Sequence, residues 1–188
     1  LLHRDDPDVP VGPIVEVLNE LKDDGRIRAF GGSNWSAERI AEANAYAEAH
    51  GLTPLAASSP NLSLAIPSEV PWGGCVSLSG PAPETARQRR WYAETRLPLF
   101  FWSSLAGGFL TGRFRRDNLE SFSGYADELV VRCYCHEENF SRLDWAERVA
   151  QERGVSIPQV ALAWVFAQGL NAFALTACRS PEEMADNI

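Results

Sequence analysis

The chain has 188 residues, 45% of them hydrophobic and 10% aromatic, a composition that supports one good core and excludes a disordered or fibrous chain. Its 17 basic and 25 acidic residues give a net charge of −8, which argues against nucleic acid or an anionic membrane as a partner of the whole surface, so an anionic ligand needs a local basic site. No apolar run approaches the roughly 20 residues that span a bilayer, the opening Leu1-Leu2-His3-Arg4-Asp5-Asp6 lacks the layout of a signal peptide, and the expected location is cytoplasmic.

Leu1-Leu2-His3 reads as the end of a buried strand with no start. Ile14, Val17, Leu18 and Leu21 then recur at i, i+3, i+4 and i+7, which predicts a helix closed by Gly25 in a left-handed cap. Residues 27–31 are expected as a strand. Ser36 is placed to cap a helix running to about His50, with Trp35 packing on Ile40 as a hydrophobic staple and Gly51 ending it. A short strand over 55–57 leads into a loop over 58–80, punctuated by Pro60, Pro67, Pro71 and Gly73-Gly74. A helix over about 83–94 follows.

After Pro98 the continuous apolar run Leu99-Phe100-Phe101-Trp102 predicts a central parallel strand buried on both faces. It empties into a loop of small residues, where α/β folds place ligands. Residues 113–135 show no clean period and are longer than an ordinary connection. Helices are predicted over 138–153 and 157–167, the second opened by the capping box Ser156-Ile157-Pro158-Gln159. Residues 172–176 form the last strand, and Ser180-Pro181-Glu182-Glu183 opens a final helix.

Strand and helix alternate five times, the signature of a parallel sheet built from βαβ units. Five units fall short of the eight of a closed barrel, which takes about 250 residues. The expected fold is therefore α/β, a partial TIM (β/α)8 barrel of about five parallel strands, with residues 1–188 as a single domain. A complete five-stranded open sheet is the alternative. Cys75, Cys133, Cys135 and Cys178 are too irregularly spaced for a disulfide framework. Cys133-Tyr134-Cys135-His136 lacks a second cluster to close a tetrahedral site, so no metal is expected.

The candidate chemistry sits at the strand ends. By residue type alone His3 suits either a structural or a catalytic role. Phe30-Gly31-Gly32-Ser33-Asn34-Trp35 suits either a tight turn or a set of polar contacts. Trp102 suits either core or stacking. Thr176-Ala177-Cys178-Arg179-Ser180-Pro181-Glu182-Glu183-Met184-Ala185-Asp186-Asn187 suits either an ordinary helix start or a phosphate site.

The run Trp102-Ser103-Ser104-Leu105-Ala106-Gly107-Gly108-Phe109-Leu110-Thr111-Gly112-Arg113 resembles the seventh-strand motif of the aldo/keto reductases, with Ser104 where that family has proline. Leu2-His3-Arg4, with Asp6-Pro7, resembles its fourth-strand motif, and Gly31-Gly32-Ser33-Asn34 its Gly-x-Ser-Asn. Residues 176–187 resemble its Gly-x-Arg-Ser-Pro-Glu-x-x-x-x-Asn segment, with Ala177 for glycine. The third strand end departs: Ser59-Pro60-Asn61-Leu62-Ser63-Leu64 stands where the family has a Gln and, three later, a Tyr.

The resemblance implies hydride transfer from NADPH, the reduced form of NADP, to a small aldehyde or ketone. It places His3 over the carbonyl, Ser33 and Asn34 on the nicotinamide carboxamide with Ser59 as a single donor beside them, and the Trp102 indole on the nicotinamide ring. It sets the backbone of Ser103, Leu105 and Gly107 against the pyrophosphate, and Arg113 on a phosphate. Arg179 goes to the 2′-phosphate, favouring NADPH, and Glu183 and Asn187 to the adenine edge. The family's proton-donating Tyr, with its Lys and Asp, belongs to earlier strands, and Lys22 is the only lysine here. The chain is thus expected to be the C-terminal part of a reductase, retaining the cofactor half and inactive in isolation. The alternative is a non-catalytic nucleotide-binding regulatory subunit, like the aldo/keto-reductase-like β subunits of potassium channels. Uncovered barrel edges predict self-association.

Overall fold

The computed structural model describes residues 1–178 and 180–187. Four short parallel strands, β1 (Gly31–Ser33), β2 (Ala57–Ser59), β3 (Leu99–Phe101) and β4 (Ala172–Ala174), lie side by side in chain order. A fifth parallel segment joins the β1 edge at Leu2, which pairs with Gly32 and exchanges backbone hydrogen bonds with Gly31 and Ser33. Helices α1 (Val11–Asp23), α2 (Ala37–Ala49), α3 (Pro83–Thr95), α4 (Tyr125–Tyr134), α5 (Glu137–Arg153), α6 (Ile157–Phe166) and α7 (Pro181–Asp186) occupy the connections. An arc of parallel strands alternating with helices is the expected partial (β/α)8 barrel.

Two strands are shifted from their expected places. The apolar residues that suggested them, Phe30 and Leu55, pack in the core just ahead of the ladder, at 4% and 1% exposure. The ladder itself is made of small residues, and space explains why. A Cβ on Gly31 would stand 2.1 Å from the carbonyl oxygen of Ala57, and one on Gly32 would stand 2.6 Å from Cγ of Trp35. These glycines are strand residues that let β2 and an indole approach, rather than turn formers.

Strand β3 is central but buried on one face only. Leu99 and Phe101 are fully buried among helix residues such as Tyr92 and Val165. Phe100 is half-buried and stacks on Phe173 with ring centroids 5.0 Å apart. Phe173 and Leu175 are about half exposed, at 47% and 48%, so this face of the arc carries uncovered apolar surface.

Helix starts follow the sequence signals. Ser36 accepts from the backbone N–H of Arg39, and Trp35 and Ile40 share the core under α2. Ser156 and Gln159 form the expected capping box, each side chain bonded to the other's backbone. Residues 113–135 differ from expectation, because they contain α4. Asp127 and Glu128 sit in its first turn, and it buries Val130, Cys133 and Tyr134 at i, i+3 and i+4. One apolar repeat in ten residues is too short to stand out. These residues join Phe109, Phe114, Phe140 and Leu143 in a second core beneath the loop that follows β3.

Candidate cofactor site at the strand ends

The carboxyl ends of Leu2, β1, β2 and β3 meet at one rim, and Asn34 joins them. Its backbone N–H donates to the carbonyl of Ser59 at 3.1 Å. Its amide Nδ2 donates to the carbonyl of His3 at 3.3 Å and to Oγ of Ser33 at 3.2 Å. Its Oδ1 accepts from Nε1 of Trp102 at 3.1 Å and from the backbone N–H of Val76 at 3.2 Å. All four hydrogen-bonding positions of the amide are used. Asn34 has φ of 60°, a left-handed conformation that Asn tolerates better than most residues.

Around this hub the polar groups are tied in series. Ser33 Oγ donates to the carbonyl of Ser59 at 3.0 Å, and Ser59 Oγ donates to that of Phe100 at 2.6 Å. Ser59 is 4% exposed and spends its one proton inside the fold. Asn61 donates to the carbonyl of Trp102 at 3.0 Å and accepts from Ser77 Oγ at 2.7 Å. The indole of Trp102 is half-buried, with its orientation set by Asn34. Asp5 anchors the segment carrying His3, through a paired contact of 3.0 and 3.2 Å to Nε of Arg39, which also bonds the carbonyls of Asp6 and Val9. The His3 side chain is exposed.

Beyond Trp102 the backbone turns sharply. Ser103, Ala106, Gly107 and Gly108 have φ of 50°, 52°, 64° and 98°, and 3₁₀ turns over Ala106–Thr111 continue the loop. Left-handed residues in succession make the kind of turn whose backbone N–H groups can face an anion, and here those of Ala106 and Gly108 donate to the carbonyls of Ser103 and Leu105 at 2.8 and 3.0 Å. Gly107 is exposed, and a Cβ there would lie 2.7 Å from Val130. Ser104, in place of proline, is buried and donates to the carbonyl of Phe101 at 3.0 Å, so its hydroxyl stabilises the turn. Leu105 is half-buried beside it.

The structure therefore brings His3, Ser33, Asn34, Ser59 and Trp102 together and continues directly into Ser103, Leu105 and Gly107. Arg113 is bonded instead to Asp127 on α4, at 2.7 and 2.6 Å. Glu183 and Asn187 lie on and just after α7, where Ser180 accepts from the Glu183 N–H and Asn187 contacts Cys178 Sγ at 3.4 Å. Arg179 lies outside the described residues.

Sequence reasoning missed Trp72. Its ring centroid is 6.5 Å from that of Trp102, and its Nε1 donates to the Tyr125 hydroxyl at 2.6 Å. A tryptophan inside Pro71-Trp72-Gly73-Gly74 is the signal that was available. Asp127 and Asn61 were missed as well.

The residues fit the phosphate and ring of a dinucleotide better than its carboxamide. The indole is oriented and Gly107 is exposed, although the turn's Ala106 and Gly108 N–H groups donate to the carbonyls of Ser103 and Leu105, whereas the Asn34 amide and Ser59 hydroxyl are already engaged. No tyrosine and lysine form a proton-donating pair among the described residues. Lys22 contacts Asp23 at 3.8 Å, Tyr46 donates to Glu16, and Tyr92 bonds Ser58. Burial holds the Tyr134 phenol well above the ordinary range. Among the described residues no group of three or more His, Cys, Asp or Glu could hold a metal. Burial also pushes the Cys135 thiol up to about 11. No described helix is long and apolar enough to cross a membrane.

Comparison with known proteins agrees with this fold. The family model described as the aldo/keto reductase family matches residues 1–188. A probable voltage-gated potassium channel subunit beta from Oryza sativa subsp. japonica is 27% identical over 190 residues, which are 99% of this chain and 53% of that protein. An NADH-specific methylglyoxal reductase from Escherichia coli (strain K12) is 27% identical over 184 residues, 95% of this chain and 48% of that one. The chain spans about half the length of these curated relatives. The crystal structure of a thermostable aldo-keto reductase bound to the inhibitor epalrestat superposes with a TM-score of 0.62 at 16% identity, over 98% of this chain and 50% of that chain.

Proposed function

The chain belongs to the aldo/keto reductase family, and on that premise we propose that it forms the cofactor side of an NADP-dependent reductase of aldehydes and ketones. The observation that carries the reading is the single network of the His3 backbone carbonyl, Asn34 and Trp102 at one rim, opening into the left-handed turn at Ser103–Gly108. Bound NADPH would supply the hydride.

In this reading Trp102 stacks on the nicotinamide ring. Asn34 acts as a positioning residue that fixes the indole's angle, because its amide is committed to Trp102, Val76, His3 and Ser33. Holding one ring at a fixed angle decides which face meets the carbonyl. The exposed imidazole of His3 orients the carbonyl oxygen and offers it a hydrogen bond as negative charge develops. The backbone from Ser103 to Gly107 and the guanidinium of Arg113 receive phosphate. Arg179 is assigned the 2′-phosphate, and Glu183 and Asn187 the adenine, on the match of residues 176–187 to the family motif. The proton must come from a Tyr–Lys pair that the described residues do not form, so these residues bind without turning over. Four free cysteines suit the cytoplasm, where a nicotinamide pool is at hand.

A second reading is a non-catalytic nucleotide-binding subunit. Similarity to proteins named as probable or putative voltage-gated potassium channel subunits beta favours it. Titration with NADPH tests the common core: indole emission should quench saturably, and Arg179→Ala should weaken NADPH at least tenfold while sparing NADH. Absence of saturable quenching would overturn both readings. Steady turnover of aldehydes by this chain would overturn binding without catalysis.

A further inference from the structure

Resting on the dinucleotide reading above, we infer that Asp127 is an internal stand-in for phosphate, seated on Arg113 until a nucleotide phosphate displaces it. Nη1 and Nη2 of Arg113 meet the two carboxylate oxygens of Asp127 at 2.7 and 2.6 Å. That fork-to-fork arrangement is the one a guanidinium offers to two oxygens of a phosphate. The cation is held for it: Cζ lies 5.1 Å from the Phe114 ring centroid and 4.8 Å from that of Phe122. Half of the Arg113 side chain is exposed, so an arriving anion reaches it from solvent.

Position separates this pair from its neighbours. Arg115 and Arg116 also hold carboxylates, but theirs are Glu147, Glu137 and Asp144 on α5, and they fasten the connection to that helix. Arg113 comes just after the 3₁₀ turns over Ala106–Thr111 and the left-handed Gly112 that closes them, and Asp127 sits in the first turn of α4. A carboxylate displaced there stays beside the helix's free N–H groups, which favour negative charge, so the exchange leaves neither partner stranded.

The exchange makes Asp127 a competitor of the cofactor, and that is testable by binding alone. NADPH and NADH are titrated against the 188-residue chain and against Asp127→Asn, with quenching of indole emission and equilibrium dialysis as readouts. Asp127→Asn should bind about fivefold more tightly. In an Arg113→Ala background the same substitution should gain nothing. Glu128→Gln, which removes a neighbouring exposed charge that does not bond Arg113, should leave affinity unchanged. Asp127→Ser, also at home in a helix's first turn, repeats the test should the Asn form fold poorly by circular dichroism. An equal gain for both nucleotides assigns the seat to the pyrophosphate; a gain for NADPH alone assigns it to the 2′-phosphate, and either sustains the inference. Unchanged or weaker binding by Asp127→Asn, or a gain that persists without Arg113, overturns it while the dinucleotide reading stands. No saturable binding by the parent chain overturns both.

Discussion

Replacing Asn34 should loosen the rim more than any other single polar change, and the amount follows from its contacts. Asn34→Ala puts an ordinary side chain at φ of 60°, which costs about 1–2 kcal/mol. It also takes the acceptor from two donors, Nε1 of Trp102 and the N–H of Val76, at about 1 kcal/mol or more each. The His3 carbonyl and Ser33 hydroxyl lose their donor, at a smaller cost because His3 is exposed and Ser33 Oγ keeps its bond to the Ser59 carbonyl. The expected total is about 3–5 kcal/mol, a large share of a typical domain's stability. Asn34→Gly keeps the left-handed backbone and loses only the bonds, so it should be milder by about 1–2 kcal/mol. Urea unfolding followed by circular dichroism measures both, and the emission of folded protein reports whether Trp102 has been released. If the two variants unfold together, each with a loss under about 1 kcal/mol, the network does not hold the rim as argued.

Gly107→Ala should destabilise more than Gly108→Ala. Both have positive φ, but only Gly107 would set its Cβ 2.7 Å from Val130, whereas nothing lies within 4 Å of Gly108; equal melting temperatures would contradict this. Tyr92 gives an alkaline signature. Burial pushes its phenol up to about 12, whereas the unfolded phenol titrates near 10, so its contribution is intact below pH 9 and falls as pH rises, by about 2–3 kcal/mol at pH 12. Tyr92→Phe should flatten stability between pH 10 and 12, and an unchanged slope would locate the loss elsewhere. The half-exposed Phe173 and Leu175 predict self-association, which Phe173→Ser should reduce on sizing chromatography. A parent chain eluting as a compact monomer would count against it.

The alternation of elements was legible because long amphipathic helices and capping residues write themselves into the chain, as at Ser36 and Ser156. The ladder positions were not. Gly31, Gly32, Ala57 and Ser58 carry no strand propensity, and their strand role comes from how closely neighbouring backbones and Trp35 must approach. The same limit applies to the site. Ser33, Asn34 and Trp102 announced themselves by type and order, yet that the Asn34 amide is spent on Trp102 and Val76 depends on residues 42 and 68 positions away. Asp127 stood inside a stretch with a single apolar repeat, so neither its helix nor its hold on Arg113 was visible until the chain was folded.

The connection between β2 and α3 has no helix or named strand, but it is riveted throughout. Asn61 bonds the backbone of Val76 and Leu78, Ser63 bonds Ser79, Ile66 both gives to and takes from Asn139, Ser68 bonds Cys133, and Pro71 is held by Arg132. An irregular segment fastened at so many points behaves as a fixed bracket rather than a flap. Trp72, carried on that bracket, reaches Trp102 on one side and the Tyr125 hydroxyl at the start of α4 on the other, so moving its ring means moving that helix as well as the loop.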